Sequence, residues 1–241
     1  MLIKTKGIIF RTLKYSETSI IADIYTEKKG LRTYIISGVR TKKAKVSASL
    51  LQLMSLVDMV AYHRDDREMN RIKEIKAAQV FRSIPFDVIK GAIGLFMVEL
   101  ARKVIREREE NTSLFHFLYD TFLYLDQTQN SPANLHLSYM LELTAHLGFL
   151  PHGQHRPDRS FFDMQEGVFT AEAPHHLYFL KDEMSLYFSR FLQSNREHCH
   201  QIALTRAQRN TLLNELITFY RLHIAEMQTL NAHQILQEVL E

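Results

Sequence analysis

Ile20-Ile21-Ala22-Asp23-Ile24-Tyr25 runs into Thr26-Glu27-Lys28-Lys29-Gly30 and out again through residues 31–36 (LRTYII). An apolar run rich in β-branched residues, a polar turn ending on glycine, and a second apolar run predict a strand, a tight turn and a returning strand. Before this hairpin, residues 3–13 alternate loosely and are rich in β-branched and aromatic types, which predicts another strand. After it, Ser37-Gly38 and the basic run Arg40-Thr41-Lys42-Lys43-Ala44-Lys45 interrupt the pattern. Residues 53–62 and 72–80 then predict two further strands on either side of the charged tip Arg64-Asp65-Asp66-Arg67-Glu68. Five short strands within residues 1–80 suit a small closed barrel, which leaves no open sheet edge.

After Pro85 the period lengthens. Val88, Ile89, Ala92, Ile93, Phe96, Leu100 and Val104 recur at three- and four-residue spacing and make one apolar face of a long helix. It closes on Arg102-Lys103-Val104-Ile105-Arg106, cations suited to a helix C-terminus. A second helix is predicted over 114–125. Ser131-Pro132 offers an N-cap and a first-turn proline for a third helix through Leu147, which Gly148 stops. Residues 149–174 carry no sustained period and contain Pro151, Gly153, Pro157, Gly167 and Pro174, so they read as loop with a hairpin near Glu166-Gly167. Helices resume over 181–192. Thr205-Arg206-Ala207-Gln208 is a capping box opening a helix through Met227, and a terminal helix spans 232–240. The reading is an α+β chain of two domains: a five-stranded barrel over 1–80 and a helical domain over 81–241, with an irregular insert at about 149–180.

The 241 residues are 46% hydrophobic and 24% charged, enough for a sizeable core. With 8 Gly and 5 Pro the chain is neither linker-rich nor of low complexity. Its one cysteine, Cys199, excludes an internal disulfide framework and an all-cysteine zinc site within a monomer, and fits a reducing compartment. The opening MLIKTKGIIF lacks the apolar core of a signal peptide, and the densest apolar stretch, 91–100, is far short of the ~20 residues that cross a bilayer. A cytoplasmic protein with no membrane partner is expected. Residues 1–80 hold 16 Lys/Arg against 8 Asp/Glu, net +8, while the remainder holds 14 against 19, net −5. Polyanions, nucleic acid above all, are the natural partner of the basic third.

No Gly-rich phosphate loop, G-x-S-x-G elbow or H-E-x-x-H motif occurs, so no enzyme is expected. Cys199, between His198 and His200 in a charged stretch, reads as an exposed, inert thiol. His152, His155, Asp158, Asp163, His175 and His176 crowd the irregular insert but match no zinc module, so neither metal nor cofactor is expected. His136 and His146 read as core-edge residues. The informative groups are cations: Arg11 and Lys14 at the end of the first strand, Lys28, Lys29 and Arg32 about the second turn, and Arg40, Lys42, Lys43 and Lys45 in the third loop. Phe10, Tyr15, Tyr25, Tyr34 and Tyr62 lie among them. Cations that track phosphates and rings that stack on bases are what sequence-tolerant single-strand binding requires. Taken singly, Phe10, Tyr25 and Tyr34 read as barrel core.

Gly7-Ile8-Ile9-Phe10-Arg11 leading to Tyr15-Ser16-Glu17-Thr18-Ser19, the Ile24-to-Gly30 turn, Gly38-Val39-Arg40 with its basic tail, and Leu51-Gln52 follow one another in an order that resembles the RecO family of recombination mediators. Phe219-Tyr220-Arg221-Leu222-His223 followed by Ile235-Leu236 extends the resemblance along essentially the whole chain. The resemblance implies an N-terminal OB-fold barrel followed by a helical domain, and a non-enzymatic role in bacterial recombinational repair in the nucleoid. It implies binding of single- and double-stranded DNA, annealing of complementary strands, contact with the C-terminal tail of single-strand-binding protein, and joining RecR to help load RecA. Many members carry a four-cysteine zinc ribbon after a Leu-Gly-Phe/Tyr sequence. Here Leu147-Gly148-Phe149 is present but 151–174 contains no cysteine, so the insert resembles a degenerate ribbon.

An acidic tail with an apolar last residue needs an apolar pocket rimmed by cations. Arg206, Arg209 and Arg221, with Leu212, Leu213, Leu216 and Phe219 as wall, are the candidate partner-tail site; the plainer reading makes those apolar residues core and pairs the arginines with nearby Glu. A competing function is a protein-binding adaptor that does not bind DNA, whose basic barrel takes an acidic partner, since acidic peptides and phosphates attract the same cations.

Overall fold

Strands β1 (Leu2–Lys14), β2 (Ser19–Thr26), β3 (Gly30–Ser37), β4 (Leu56–Tyr62) and β5 (Met69–Ala77) close into a barrel in the order β1-β2-β3-β5-β4 in a computed structural model that describes residues 1–39 and 48–240. β1 is long because it serves two neighbours. Its first half pairs antiparallel with β4, from Leu2↔Tyr62 to Ile8↔Leu56, and its second half with β2, from Gly7↔Thr26 to Lys14↔Ile20. A short parallel pairing of β3 with β5, Thr33↔Met69 to Ile35↔Arg71, completes the closure. Ile3, Ile9, Ala22, Ile24, Tyr34, Ile36, Val57, Met59, Ala61, Ile72 and Ile75 fill the interior.

A β-bulge in β1 between Ile9 and Arg11 decides which residues face inward. Strand side chains alternate, so one extra residue reverses the faces of everything after it. Ile9 points into the barrel, whereas Arg11 comes out opposite Asp23 and bonds it at 2.7 Å. Phe10 also stays outside and stacks on Tyr25, with ring centroids 5.6 Å apart and planes at 8°. Tyr25 in turn stacks on Phe115 of helix α2 (Thr112–Gln127), which covers this part of the barrel. Phe10, Tyr25 and Tyr34 are thus core, as their sequence positions suggest; burial pushes the Tyr34 phenol up to about 12.

The strand ends differ from expectation in three places, one of them the end of β5, which stops at Ala77 rather than at residue 80. β4 starts at Leu56 because Ala48–Leu51 forms a 3₁₀ turn that puts Leu51 into the core, and Met54 takes a left-handed φ of 69°. β5 starts at Met69 because the inward position before Ile72 is polar. Asn70 lies 3% exposed there and accepts the Arg64 backbone N–H, so the apolar alternation does not show it.

The chain divides into two units, Met1–Asp87 with Val98–Gln127, and Val88–Met97 with Thr128–Glu241. A division at 80/81 follows the change of period, but the first unit also takes in α2. Helix α1 (Val88–Val104) contributes residues to each. In the second unit, α3 (Leu135–Leu147) begins later than Ser131-Pro132 suggests. Pro132 accepts the Leu135 N–H in a turn, and Asn134 uses its side chain elsewhere, donating to the carbonyls of Cys199 and Ile202. Gly148, at φ 85°, ends α3 as expected.

The insert is a three-stranded sheet, β7-β6-β8, of β6 (Phe161–Asp163), β7 (Val168–Thr170) and β8 (Phe179–Leu180), with Gly167 in the turn at φ 69°. α4 (Asp182–Leu192), α5 (Arg206–His223) and α6 (Ala232–Val239) follow, α5 opening on the full Thr205/Gln208 capping box. α5 stops at His223, four residues before Met227: the next residue, Ile224, turns to extended backbone while its N–H still bonds the Tyr220 carbonyl. Phe162 of β6 lies 4.2 Å, centroid to centroid, from Phe188 of α4 and 5.9 Å from Phe219 of α5. This aromatic cluster pins the cysteine-free insert to the helices.

Asp126, near the end of α2, accepts the backbone N–H groups of Arg82, Ser83 and Ile84 at 2.8–3.0 Å. Burial raises its carboxyl, but the bonds from Arg82, Ile84 and Ser83 outweigh that and hold it below the ordinary range. A carboxyl that titrates low in the folded chain stabilises at pH above its unfolded value, and that contribution is lost as pH falls through the folded value. Asp126→Asn is expected to cost about 2 kcal/mol at pH 7, from lost bonds to a charged acceptor. In urea melts the gap between variant and wild type should close in acid; an equal gap at pH 7 and pH 3 would contradict this account.

Candidate nucleic-acid interface

The β2–β3 hairpin sets the scale. Ser19↔Ser37 pair at one end and Thr26↔Gly30 at the other, seven residues apart, or about 23 Å along the strand. Lys14, which pairs with Ile20, lies at the first end beside exposed Tyr15. The segment after Ser37 leaves from the same end, where the Val39 N–H bonds the Thr18 carbonyl. Arg40, Lys42, Lys43 and Lys45 fall outside the described residues. Lys28, Lys29 and Arg32 belong to the opposite end. Among the described residues, the expected cations are therefore spread along the strands and do not form one patch.

They also differ in availability. Lys14 and Lys28 are exposed and have no ion-pair partner among the described residues. Arg11 is held by Asp23, whose other oxygen accepts the Thr33 hydroxyl at 2.8 Å. Asp65 gathers Lys29 at 3.4 Å, Arg32 at 3.6 Å and His63 Nε2 at 2.8 Å, and its carboxyl is held below the ordinary range chiefly by the His63 bond. Arg32 further donates to the carbonyls of Lys29 and Arg108, which makes it structural. Gly30 explains why the chain can come so close here. Its φ is 58°, and a Cβ on it would meet the Glu109 carbonyl and lie 2.7 Å from that of Glu107, to which Leu31 donates.

The sequence does not reveal a cavity of about 380 Å³ on the barrel, lined by Ile35, Tyr62, His63, Arg64, Arg67, Met69, Asn70 and Arg71 together with Met1. Its residues come from three strands and the β4–β5 loop, brought together by the pairings Tyr62↔Arg71 and Ile35↔Arg71 and by the bonds of His63 to Met1 and of Arg64 to Asn70. Arg67 and Arg71 are exposed and without an ion-pair partner among the described residues, while Arg64 reaches Asp66 at 3.4 Å.

In the second unit, Leu212, Leu213, Leu216 and Phe219 are at most 1% exposed, so they are core and cannot form the wall of a tail pocket. Arg209 bonds the Asn134 side chain and the Leu204 carbonyl, Arg206 bonds the Gln237 carbonyl, and Arg221 is exposed. Cys199 is 2% exposed rather than on the surface, and burial with the nearby Glu142 charge pushes its thiol up to about 12; its inertness comes from the interior. His136, expected at the core edge, is completely buried against Phe96, and burial with the charge of Arg209 pushes it down to about 3. His146 is half-buried. Asp163 accepts the N–H groups of Gln165 and Glu166 in the β6–β7 turn and meets His176 at 3.3 Å. Among the described residues no three His, Cys, Asp or Glu side chains are grouped to hold a metal, and no helix is long and apolar enough to cross a membrane.

A closed five-stranded barrel followed by a helical region defines a protein of the OB-fold class. The family model described as Recombination protein O N terminal matches residues 1–81, and that of Recombination protein O C terminal matches 85–230, parting where the sequence period changes. The chain is 34% identical over 239 residues to a DNA repair protein RecO of Phocaeicola vulgatus, covering 99% of each. It is 35% identical over 243 residues to one of Bacteroides fragilis, covering 100% of each, and 34% over 240 residues to one of Christiangramia forsetii, covering 99% of each. The chain belongs to the RecO family, and its role lies in DNA repair and recombination.

If aromatic packing rather than metal holds the insert, prolonged chelation should leave the thermal midpoint unchanged, while Phe162→Ala should cost about 3–5 kcal/mol. Stoichiometric zinc that survives dialysis, with unfolding on its removal, would reverse this and implicate His152, His155, Asp158 or His175.

Proposed function

We propose that this chain is a recombination mediator that binds single- and double-stranded DNA through phosphates on its barrel, brings complementary strands together to anneal, and acts with RecR to help load RecA on DNA coated by single-strand-binding protein. The observation that carries the DNA-binding part is the barrel itself, with Lys14, Lys28, Arg67 and Arg71 exposed and not ion-paired among the described residues, joined in sequence to the basic run 40–45. Annealing needs no bond-making residue. Two strands repel through their phosphates; a cationic surface screens that repulsion while bases left free can pair. Lys29 and Arg32, already committed to Asp65, act mainly by holding the loops in place, and Arg11 by pairing with Asp23 across β1 and β2. Contact with the tail of single-strand-binding protein belongs to the same reading. Of the three arginines considered for it, Arg206 and Arg221 are exposed and Arg209 is half-buried.

Affinity for a naked oligonucleotide should fall steeply with salt. Replacing Lys42, Lys43 and Lys45 together by Glu should weaken binding whatever the sequence, and flatten the salt slope by roughly 0.9 for each phosphate no longer neutralised. Wild-type protein that binds an acidic partner but shows no salt-dependent binding to naked DNA would favour the adaptor instead.

A further inference from the structure

Strand registry sets an apolar floor beside an arginine on the outer face of the barrel. Arg71 of β5 pairs with Tyr62 of β4 on one side and with Ile35 of β3 on the other, while their chain neighbours Tyr34, Ile36, Ala61 and Ile72 belong to the core. The cavity of about 380 Å³ opens here, near the lower end of the ~300–1,000 Å³ typical of small-ligand sites, which suits a residue or two of a ligand rather than a long segment. Ile35, Tyr62 and Met69 supply apolar lining, with Tyr62 50% and Met69 37% exposed. Arg64, Arg67 and Arg71 line it as well, and among the described residues no Asp or Glu does. The carboxylates of the same loop are already engaged, Asp65 by Lys29, Arg32 and His63, and Asp66 by Arg64. Arg67 and Arg71 remain exposed and outside any ion pair among the described residues.

We infer that this cavity takes the C-terminal residue of an acidic partner peptide, its apolar side chain against Ile35, Tyr62 and Met69, its terminal carboxylate on Arg71, and the acidic residues before it on Arg67. Spacing selects this occupant. Arg71 is the direct cross-strand neighbour of both Tyr62 and Ile35, so a ligand must carry its negative charge and its apolar group close together. A C-terminal residue does so, because carboxylate and side chain share one Cα. An internal residue of a peptide carries an apolar side chain or a carboxylate, not both, and in a nucleotide the sugar stands between phosphate and base. An arginine can hold a carboxylate through two parallel bonds, which are stronger than bonds between neutral groups. The inference rests on the reading that this chain takes an acidic partner tail, and it moves that contact to the barrel, since the apolar residues of α5 are core.

The test is fluorescence anisotropy of the full-length protein with a labelled Asp-rich peptide ending in Phe. On wild-type protein, amidating the terminal carboxylate or replacing the last Phe by Ala should each weaken binding about tenfold, and neither change needs a protein variant. Arg71→Gln should cost about the same with the free-acid peptide and have little effect with the amidated one, because the charge it meets is then gone. Tyr62→Ala, at a half-exposed position, should weaken the Phe peptide and leave the Ala peptide unchanged, with thermal midpoints confirming that both variants fold. Arg206→Glu and Arg221→Glu on α5 should bind as wild type. Peptide binding that survives Arg71→Gln and Tyr62→Ala but is lost in the α5 variants would overturn the barrel site and return the tail to the helical unit. An oligonucleotide that displaces the peptide and is itself weakened by Tyr62→Ala as strongly as the peptide is would assign the cavity to DNA instead. Wild-type protein that binds no peptide would bring down the tail reading and the inference together.

Discussion

β1 pairs with β4 through its first half and with β2 through its second, and the bulge between Ile9 and Arg11 lets one strand do both. Without the extra residue Arg11 would point into a core of Ile, Val and Met, where an unpaired charge costs several kcal/mol. With it, Ile9 remains inside, Arg11 meets Asp23 on the surface, and Phe10 becomes the first ring of a stack running through Tyr25 to Phe115. That stack is how α2 joins the first unit. Asp126 near the end of the same helix then ties residues 82–84, so the exit from the barrel depends on the same docking.

The second unit solves a different problem. Its insert has strands of only two or three residues, too short to stand alone. Phe162, Phe169, Phe188 and Phe219 pack as interlocking rings, with Phe149 and His223 stacked beside them at 5.2 Å and 3°. Buried aromatic area holds these short strands against the helices. Asn134 performs a comparable task with polar groups, joining the start of α3 to the 3₁₀ turn at Cys199–Gln201 and to Arg209.

Charge on the barrel is less uniform than the net +8 of residues 1–80 suggests. Asp65 alone draws in Lys29, Arg32 and His63, and Asp23 holds Arg11. Among the described residues, Lys14 and Lys28 lie at the two ends of the β2–β3 hairpin, Arg67 in the β4–β5 loop and Arg71 on β5, none of them in an ion pair.

Strand and helix periodicity, the Thr205/Gln208 capping box, the Gly30 and Gly148 turns, and the change of texture at Pro85 were legible residue by residue, because each is a local preference written within one turn or one strand. The five barrel strands, the helices and the hairpin at Gly167 follow from such signals. The β8 strand, the polar inward position of Asn70 and the late start of α3 were not legible, because partners distant in the chain decide them. The same holds for the site. The sequence marks cations, but whether Arg32 faces phosphate or the Arg108 carbonyl, and whether Leu212 is wall or core, depends on what tertiary packing sets against them. The Tyr62–Arg71 cavity exists only because antiparallel and parallel registers bring residues 35, 62 and 71 into one row, and registry is a property of paired strands that no single strand carries.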